Sequence, residues 1–460
     1  LWHEQKPAKQ PDFDWRLSTY YLHVPVIQAL FHQVSNPSQL QALGLIEPLN
    51  WAGAALNRVD QAAFFSRFDR DQAVQYFYEP FLEAYDAELR KDLGVWYTPP
   101  EIVRYMVERV DRALRSELGL ADGLADPSVY VLDPCCGTGA YPLEVLRRIE
   151  QTLRAKGDDA LLAHDLKQAA QQRIFGFEIL PAPFVIAHLQ LGLQMHTAGA
   201  AFEEGERAGI FLTNALTGWN AQTPQAKLPM AEFQDERDQA NHVKQKAPIL
   251  VILGNPPYNG FAGVAQSEEE KDLVQPYKEG LVAQWGIKKF NLDDLYVRFF
   301  RLAERRIAEI AERGVVCFIS NYSYLGDPSF VVMRQRFLQE FDALWFDCLN
   351  GDSRETGKLT PEGKPDPSVF STEYNREGIR VGTAIGLLVQ KRKGNRGQVV
   401  RFRQFWGANK RADLLDSLEA EDFEAAYQLA SPSPANRFSF RPQETSADYI
   451  AWPKVVDLSK

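Results

Sequence analysis

The segment Pro248-Ile-Leu-Val-Ile-Leu-Gly-Asn255-Pro256-Pro257-Tyr258 ends an apolar run with an amide, two prolines and an aromatic ring. These residue types can grip the amino group of a flat base. Asn255 offers a side-chain carbonyl and Pro256 a main-chain carbonyl, and the two acceptors are stiffened because proline fixes its own φ and restricts the residue before it. Pro257 and Tyr258 are the expected contacts to the ring, Tyr258 by stacking. An exocyclic amine on an aromatic base is a poor nucleophile because its lone pair is delocalised. Accepting both of its hydrogens would favour a more tetrahedral nitrogen, with the acceptors in place before charge develops. The plainer alternative is a strand ending in a proline turn, with Tyr258 packed on the core.

A second set of residues points to a bound cofactor. The strand Val129–Leu132 leads into Asp133-Pro134-Cys135-Cys136-Gly137-Thr138-Gly139-Ala140 and then a helix to about Ala155. A strand over 173–177 ends at Glu178, one over 210–213 ends at Asn214, and one over 249–253 ends at Asn255. In open α/β sheets ligands bind beyond the carboxyl ends of the strands near the switch point, so Asp133, Glu178, Asn214 and Asn255 are expected to share one crevice. Gly137 and Gly139 let the backbone turn tightly and approach a ligand. The string lacks the third glycine of a dinucleotide loop and the Gly-Lys-Ser/Thr of a phosphate loop, which disfavours NAD and ATP. Glu178 is suited to accept from two ribose hydroxyls.

Further strands over 315–320, 343–347 and 383–390 alternate with helices and predict a doubly wound α/β domain. Before it, helical periodicity from about Asp14 to Leu93 predicts a helical N-terminal domain over 1–93. Tyr97-Thr98-Pro99-Pro100-Glu101 then opens a helix over Ile102–Leu118, with Thr98 as the expected N-cap. Polar, Pro- and Gly-containing stretches over 220–247 and 351–378 read as loops. The domain of interest spans 94–403, and 404–460, where the pattern weakens, reads as the start of a further C-terminal region.

With 460 residues the chain can bury a substantial core. Its net charge of -10 argues against an indiscriminate nucleic-acid coat. A local basic groove is left to Lys288-Lys289, Arg298 to Arg306 and Lys391 to Arg403. Apolar runs fall well short of the roughly 20 residues a bilayer needs, so no membrane partner is expected. The start Leu1-Trp-His has no initiator Met and no signal pattern, which reads as a fragment of a cytoplasmic protein. Cys135, Cys136, Cys317 and Cys348 have no metal-ligand spacing and read as reduced thiols, with no metal expected.

Asp133-Pro-Cys-Cys-Gly-Thr-Gly-Ala140 resembles the first motif of S-adenosylmethionine-dependent N6-adenine DNA methyltransferases, and Asn255-Pro-Pro-Tyr258 resembles their catalytic motif. Tyr97-Thr98-Pro99 resembles the motif that covers the methionine end of the cofactor. The order of the three is similar to the gamma class. Tyr78-Glu-Pro-Phe-Leu82 with Ala84-Tyr-Asp86, Leu180-Pro-Ala-Pro-Phe184 and Asn321-Tyr-Ser-Tyr-Leu325 resemble the methylase module of Type ISP restriction-modification enzymes and related phage-defence methylases, over about 75–395. Cys135 stands where a small residue is more common, and Asn214 where some relatives carry Asp.

The resemblance implies a Rossmann-like class I methyltransferase sheet, mostly parallel with one antiparallel strand. It implies S-adenosyl-L-methionine held by Tyr97, Thr98, Pro99, Asp133, Pro134, Cys136, Gly137, Gly139, Glu178 and Asn214. Asn255, Pro256 and Tyr258 would act on an adenine flipped out of double-stranded DNA. A second aromatic is expected on the opposite face of the base, with Phe370 or Tyr374 as candidates, and Tyr322 and Tyr324 near another strand tip. The resemblance also implies that 404–460 begins a target-recognition region. Nuclease or translocase parts would belong to the same full-length chain or complex. Methylation of protein glutamine or of RNA, or a noncatalytic binding module, are the alternatives.

Overall fold

The computed structural model describes residues 12–16, 24–60, 63, 96–157, 161–203, 205–222, 227–228, 230–258, 268–290, 292–372, 375–391, 399–442 and 452–453. The aromatic and acidic residues of 78–86 and Tyr374 lie outside them. Within the expected N-terminal domain the described part contains helices α1 (Pro25–Val34), α2 (Pro37–Ala42) and α3 (Ile46–Leu56).

The following helices are α4 (Pro100–Ser116), α5 (Ala140–Ala155), α6 (Leu162–Gln172), α7 (Pro181–Thr197), α8 (Ala231–Lys246), α9 (Glu268–Leu273), α10 (Gln275–Lys278), α11 (Leu295–Glu304), α12 (Val331–Glu340) and α13 (Lys410–Asp416). The strands are β1 (Val131–Asp133), β2 (Ile174–Glu178), β3 (Gly209–Leu212), β4 (Val251–Gly254), β5 (Gly314–Asn321), β6 (Ala343–Asn350), β7 (Thr383–Gln390), β8 (Val399–Gln404) and β9 (Gln428–Ala430). Among the described residues they form one sheet in the order β3-β2-β1-β4-β5-β7-β6-β8-β9. The chain leaves β1 toward β2 and β3, then returns to lay β4 on the other side of β1, so β1 and β4 flank the switch point where such sheets bind ligands.

The mostly parallel sheet matches the expected class, and β7 is the expected antiparallel strand, paired with both β5 and β6. Two strands extend it. β8 runs parallel to β6, and β9 antiparallel to β8. The sheet therefore continues across the boundary expected at 403/404.

Two apolar layers sandwich the sheet. One is built on α4, α5 and α7 with Tyr105, Met106, Val110 and Leu146. Apolar residues at 102, 103, 106, 107, 110, 113 and 114 repeat at the spacing of one helix face, and this face is what α4 buries. The other layer is aromatic, with Phe300 packed against Phe318, Tyr324 and Phe337. At the end of the α4 layer a buried polar knot fastens β6 and β8 to α4. Asp347 accepts from Arg403 Nε (2.5 Å), Tyr427 (2.8 Å) and Tyr105 (2.7 Å). Removing one partner from such a pair leaves an uncompensated buried charge, which is strongly destabilising.

Three local expectations are corrected. Residues 231–246 form a helix, although 220–247 reads as loop, because Glu236, Ala240, Val243 and Lys244 make a buried stripe at i, i+4, i+7 and i+8 that its charged members disguise. The helix after Tyr97 is capped by Pro99 with Pro100 at its first position, so Thr98 is not the N-cap; its hydroxyl is used elsewhere. The basic run over 298–306 does not form a groove. Arg298 is paired with Glu270, Arg301 with Glu309, and Arg306 donates to the Ala247 carbonyl, all largely buried.

At the N-terminus of α5, Gly139 has φ 88°, and a Cβ there would lie 3.1 Å from Ala187 Cβ and 3.2 Å from its Cα. Both the left-handed backbone and the close approach of α7 require glycine. Gly139→Ala is expected to cost about 1–2 kcal/mol from backbone conformation alone, read as a lower chemical-denaturation midpoint. An unchanged midpoint would contradict this packing.

Candidate active site

Asn255 follows directly on β4, and its side chain is turned one way by its neighbours. The Nδ2 group donates to the Trp96 carbonyl (3.0 Å) and to Thr98 Oγ1 (3.0 Å). A carbonyl can only accept, so the amide NH2 must face Trp96. Oδ1 is consequently left pointing elsewhere, buried and without a partner. An orphaned buried acceptor costs about 1–3 kcal/mol, a cost that an amino group placed against it would remove. Pro256 is buried, and Pro257 and Tyr258 are half-buried. The Tyr258 hydroxyl also has no partner, and burial holds it well above the ordinary phenol range, hence neutral.

The residues named from the other strand tips gather at the same edge of the sheet. Asp133 ends β1, next to the end of β4: a Cβ on Gly254 would lie 2.6 Å from Asp133 Oδ1. Asp133 is buried, accepts from Cys135 N–H (3.0 Å), and leaves Oδ2 without a partner. Burial pushes its carboxyl up to about 7. Pro134 and Cys136 are buried in the turn, and the Cys136 N–H donates to the Phe177 carbonyl (2.9 Å). Gly137 takes the left-handed backbone (φ 54°) and donates to Glu178 Oε2 (2.9 Å). Glu178 Oε1 accepts from Ile179 (2.8 Å) and Leu180 (2.7 Å). Burial raises its carboxyl above the ordinary range despite these backbone donors. A carboxylate has about four lone-pair sites, so three backbone bonds leave one for a ligand. Glu178 thus clamps the glycine turn to the tip of β2 as well as facing the crevice edge. At the tip of β3, Asn214 Oδ1 accepts from Leu216 N–H (2.9 Å) in a side-chain turn.

Beside the Asn255 loop, Phe370 is buried and stands edge-on to Tyr258, ring centroids 5.9 Å apart at 72°, and to Trp96 at 6.5 Å and 62°. The two rings make a corner, not a parallel slot. Tyr322 and Tyr324 are not brought into it. Tyr322 donates to Glu355 (2.6 Å) beneath Arg441, and Tyr324 is fully buried in the aromatic layer on the other face. Tyr97, half-buried, faces a groove with Pro100, Ala140 and Leu143, while Pro99 is buried.

Three residues beside these tips were not singled out from the sequence. The Trp96 carbonyl orients Asn255, and main-chain atoms leave no signature in residue type. Ile179 is 61% exposed beside Glu178, a large apolar side chain at a strand tip, which was a readable signal. Lys244 is 1% exposed and donates to Thr213 Oγ1 and to the Asn214 carbonyl (both 2.8 Å), over the face of Phe177 (5.1 Å). Burial lowers its ammonium to about 7. It fixes the β3 tip from beneath.

Because the folded value of Asp133 lies above the unfolded 3.8, its contribution to stability is fully present below that value and is lost as pH rises through about 7. The thermal midpoint of Asp133→Asn is therefore expected to gain on that of the parent protein as pH goes from about 5 to about 8. A difference independent of pH would show that Asp133 is not held neutral by burial.

Residues 70–284 match the family model described as N-6 DNA methylase. No curated protein sequence matches the chain. Among solved structures, the DrdV–DNA complex superposes with a TM-score of 0.69 at 22% identity, over 95% of this chain and 40% of that one. The ATP-dependent Type ISP restriction-modification enzyme LlaBIII bound to DNA gives 0.69 at 20%, over 96% and 28%, and a nuclease-deletion mutant of the Type ISP enzyme LlaGI gives 0.64 at 22%, over 92% and 34%. The chain thus spans at most 40% of the length of these three proteins. At such identities the likeness is one of fold. Residues 70–284 are therefore similar to the N-6 DNA methylase family, and the chain shares its fold with these restriction-modification structures.

Proposed function

We propose that this chain transfers the methyl group of S-adenosyl-L-methionine to N6 of an adenine flipped out of duplex DNA, as the modification activity of a restriction-modification protein. The observation that carries the reading is the orphaned, pre-oriented Oδ1 of Asn255 on the strand beside the glycine turn. It is an acceptor held in place before substrate arrives, which is where electrostatic catalysis gains most.

The residues present fit the cofactor. Asp133 Oδ2 is a buried acceptor without a partner, Glu178 keeps one acceptor site, and Ile179 offers an exposed apolar side chain beside it. In this reading Tyr97, Thr98 and Pro99 cover the methionine end, and Asp133, Pro134, Cys136, Gly137 and Gly139 line the turn. Glu178 takes the ribose, and Asn214 lies by the adenine. S-adenosyl-L-methionine, when bound, supplies an electrophilic sulfonium methyl.

Asn255 Oδ1 and the Pro256 carbonyl accept the two N6 hydrogens, which raises the amine toward tetrahedral geometry. Flipping costs a few kcal/mol, and stacking on Tyr258 offsets it by about 1–3 kcal/mol. Pro257 and Phe370 border the same ring. Positioning does much of the remaining work in a direct displacement. The catalytic domain begins near residue 94 and, because β8 and β9 continue its sheet, runs past the boundary expected at 403/404, with the residues beyond leading toward target recognition. Nuclease and translocase parts belong to the rest of the protein or its complex.

Asn255→Ala is expected to lower methyl transfer about 10²–10³-fold, scored as tritiated methyl incorporated into unmethylated bacterial DNA. Binding of S-adenosylhomocysteine by calorimetry should stay within about twofold, because the acceptor acts on the transition state. Transfer at the parent rate in this variant would sink the reading, as would methyl incorporation into protein instead of DNA.

A further inference from the structure

The segment 351–378, which carries Phe370, joins β6 to β7 with turns and a single isolated bridge between Leu359 and Pro365 among its described residues. Two buried carboxylates hold it: Asp352 near its start, which accepts from the N–H groups of Arg354, Glu355 and Gly382, and Asp366 nearer Phe370. Asp366 is 0% exposed; its Oδ2 accepts from Gly351 N–H (2.7 Å), and its Oδ1 accepts from Gly407 N–H (2.7 Å) and from Lys410 Nζ (2.7 Å). Lys410, the first residue of α13, is itself 1% exposed. The next residue, Arg411, donates to the carbonyl of Ser371, which directly follows Phe370. Consecutive side chains of α13 therefore hold both ends of the stretch 366–371. In between, Ser368 Oγ accepts from Phe370 N–H (3.2 Å) and its carbonyl from Ser371 N–H (3.0 Å). α13 packs on α4, the helix entered through Trp96 and Thr98.

A surface ion pair would contribute little, but this one is desolvated on both sides, so loss of the lysine strands a buried carboxylate. We propose that Lys410 is a positioning residue for the base pocket: with Arg411 it fixes 366–371 so that Phe370 stands against Tyr258, and the segment after β8 thereby sets one wall of the site. This rests on the methyltransferase reading for its consequence, though not for the anchoring itself. Lys410 touches neither base nor cofactor in this scheme; it acts through Phe370.

The test uses the full-length protein with Lys410→Met and, as the milder change at a half-buried position, Arg411→Gln, each alone and combined with Phe370→Ala. Hydrogen exchange should speed up at the amides of 370 and 371 in both single variants and stay unchanged at Gly137 and Leu180. With labelled S-adenosyl-L-methionine and unmethylated bacterial DNA, kcat/KM for DNA should fall about tenfold or more while the Kd for S-adenosylhomocysteine stays within about twofold. In the Phe370→Ala background neither substitution should lower it further. Unaltered exchange at 370–371 overturns the anchoring. An equal loss with and without the Phe370 ring, or a parallel loss of cofactor affinity, overturns the positioning role. A parent protein that transfers no methyl group to DNA sinks the functional reading instead, and hydrogen exchange still decides the anchoring.

Discussion

An amide can present only one of its two ends to a given partner, and the carbonyl of Trp96 allows only one choice. With Nδ2 of Asn255 committed to that carbonyl and to Thr98, the acceptor end is fixed by elimination. The geometry holds only while the extended stretch before α4 lies across the tip of β4. Its position depends in turn on α4 being buried along its apolar face and tied to β6 and β8 by the Asp347 knot. The orientation of one side chain is thus a property of three strands and a helix.

The turn after β1 faces a related constraint. Glu178 gathers three backbone donors from its own tip and from Gly137, while Lys244 holds the neighbouring tip by Thr213 and Asn214. A buried carboxylate and a buried ammonium each hold loop backbone, and neither is paired directly with the other. Both ions are kept in place by main-chain and hydroxyl partners, which makes the crevice edge rigid.

Much of this architecture was legible. Alternation of short apolar runs with helical stretches placed the seven strands β1 to β7 to within a few residues, because buried parallel strands read as continuous apolar runs. The polar residues at their tips were readable for the same reason: each interrupts such a run. What could not be read has physical causes. α8 hides its buried face behind Glu236 and Lys244, whose burial depends on partners distant in sequence. Thr98 looks like a cap, yet its oxygen is drawn to Asn255, 157 residues away. β9 escaped notice because it has only three residues and is mostly exposed, and β8 because Arg401 and Arg403 interrupt its apolar run, the latter buried on a partner distant in sequence, Asp347. Phe370 was identifiable only as an aromatic in a long connection; its neighbours Tyr258 and Trp96 come from other parts of the chain.

The reversed direction of β7 has a consequence for how this protein can change over generations. Because β6 runs up to the edge that carries Asn255 and β7 runs back from it, their connection begins and ends at that edge and never has to cross beneath the sheet. Lengthening its exposed stretch over 361–365 would leave Val369 and Phe370 in the core, and the entropic cost of a longer closure grows only by about 0.6 kcal/mol per doubling. Variation can accumulate in that exposed stretch, at the edge that carries Asn255, while the strands that hold the amide and the glycine turn stay as they are.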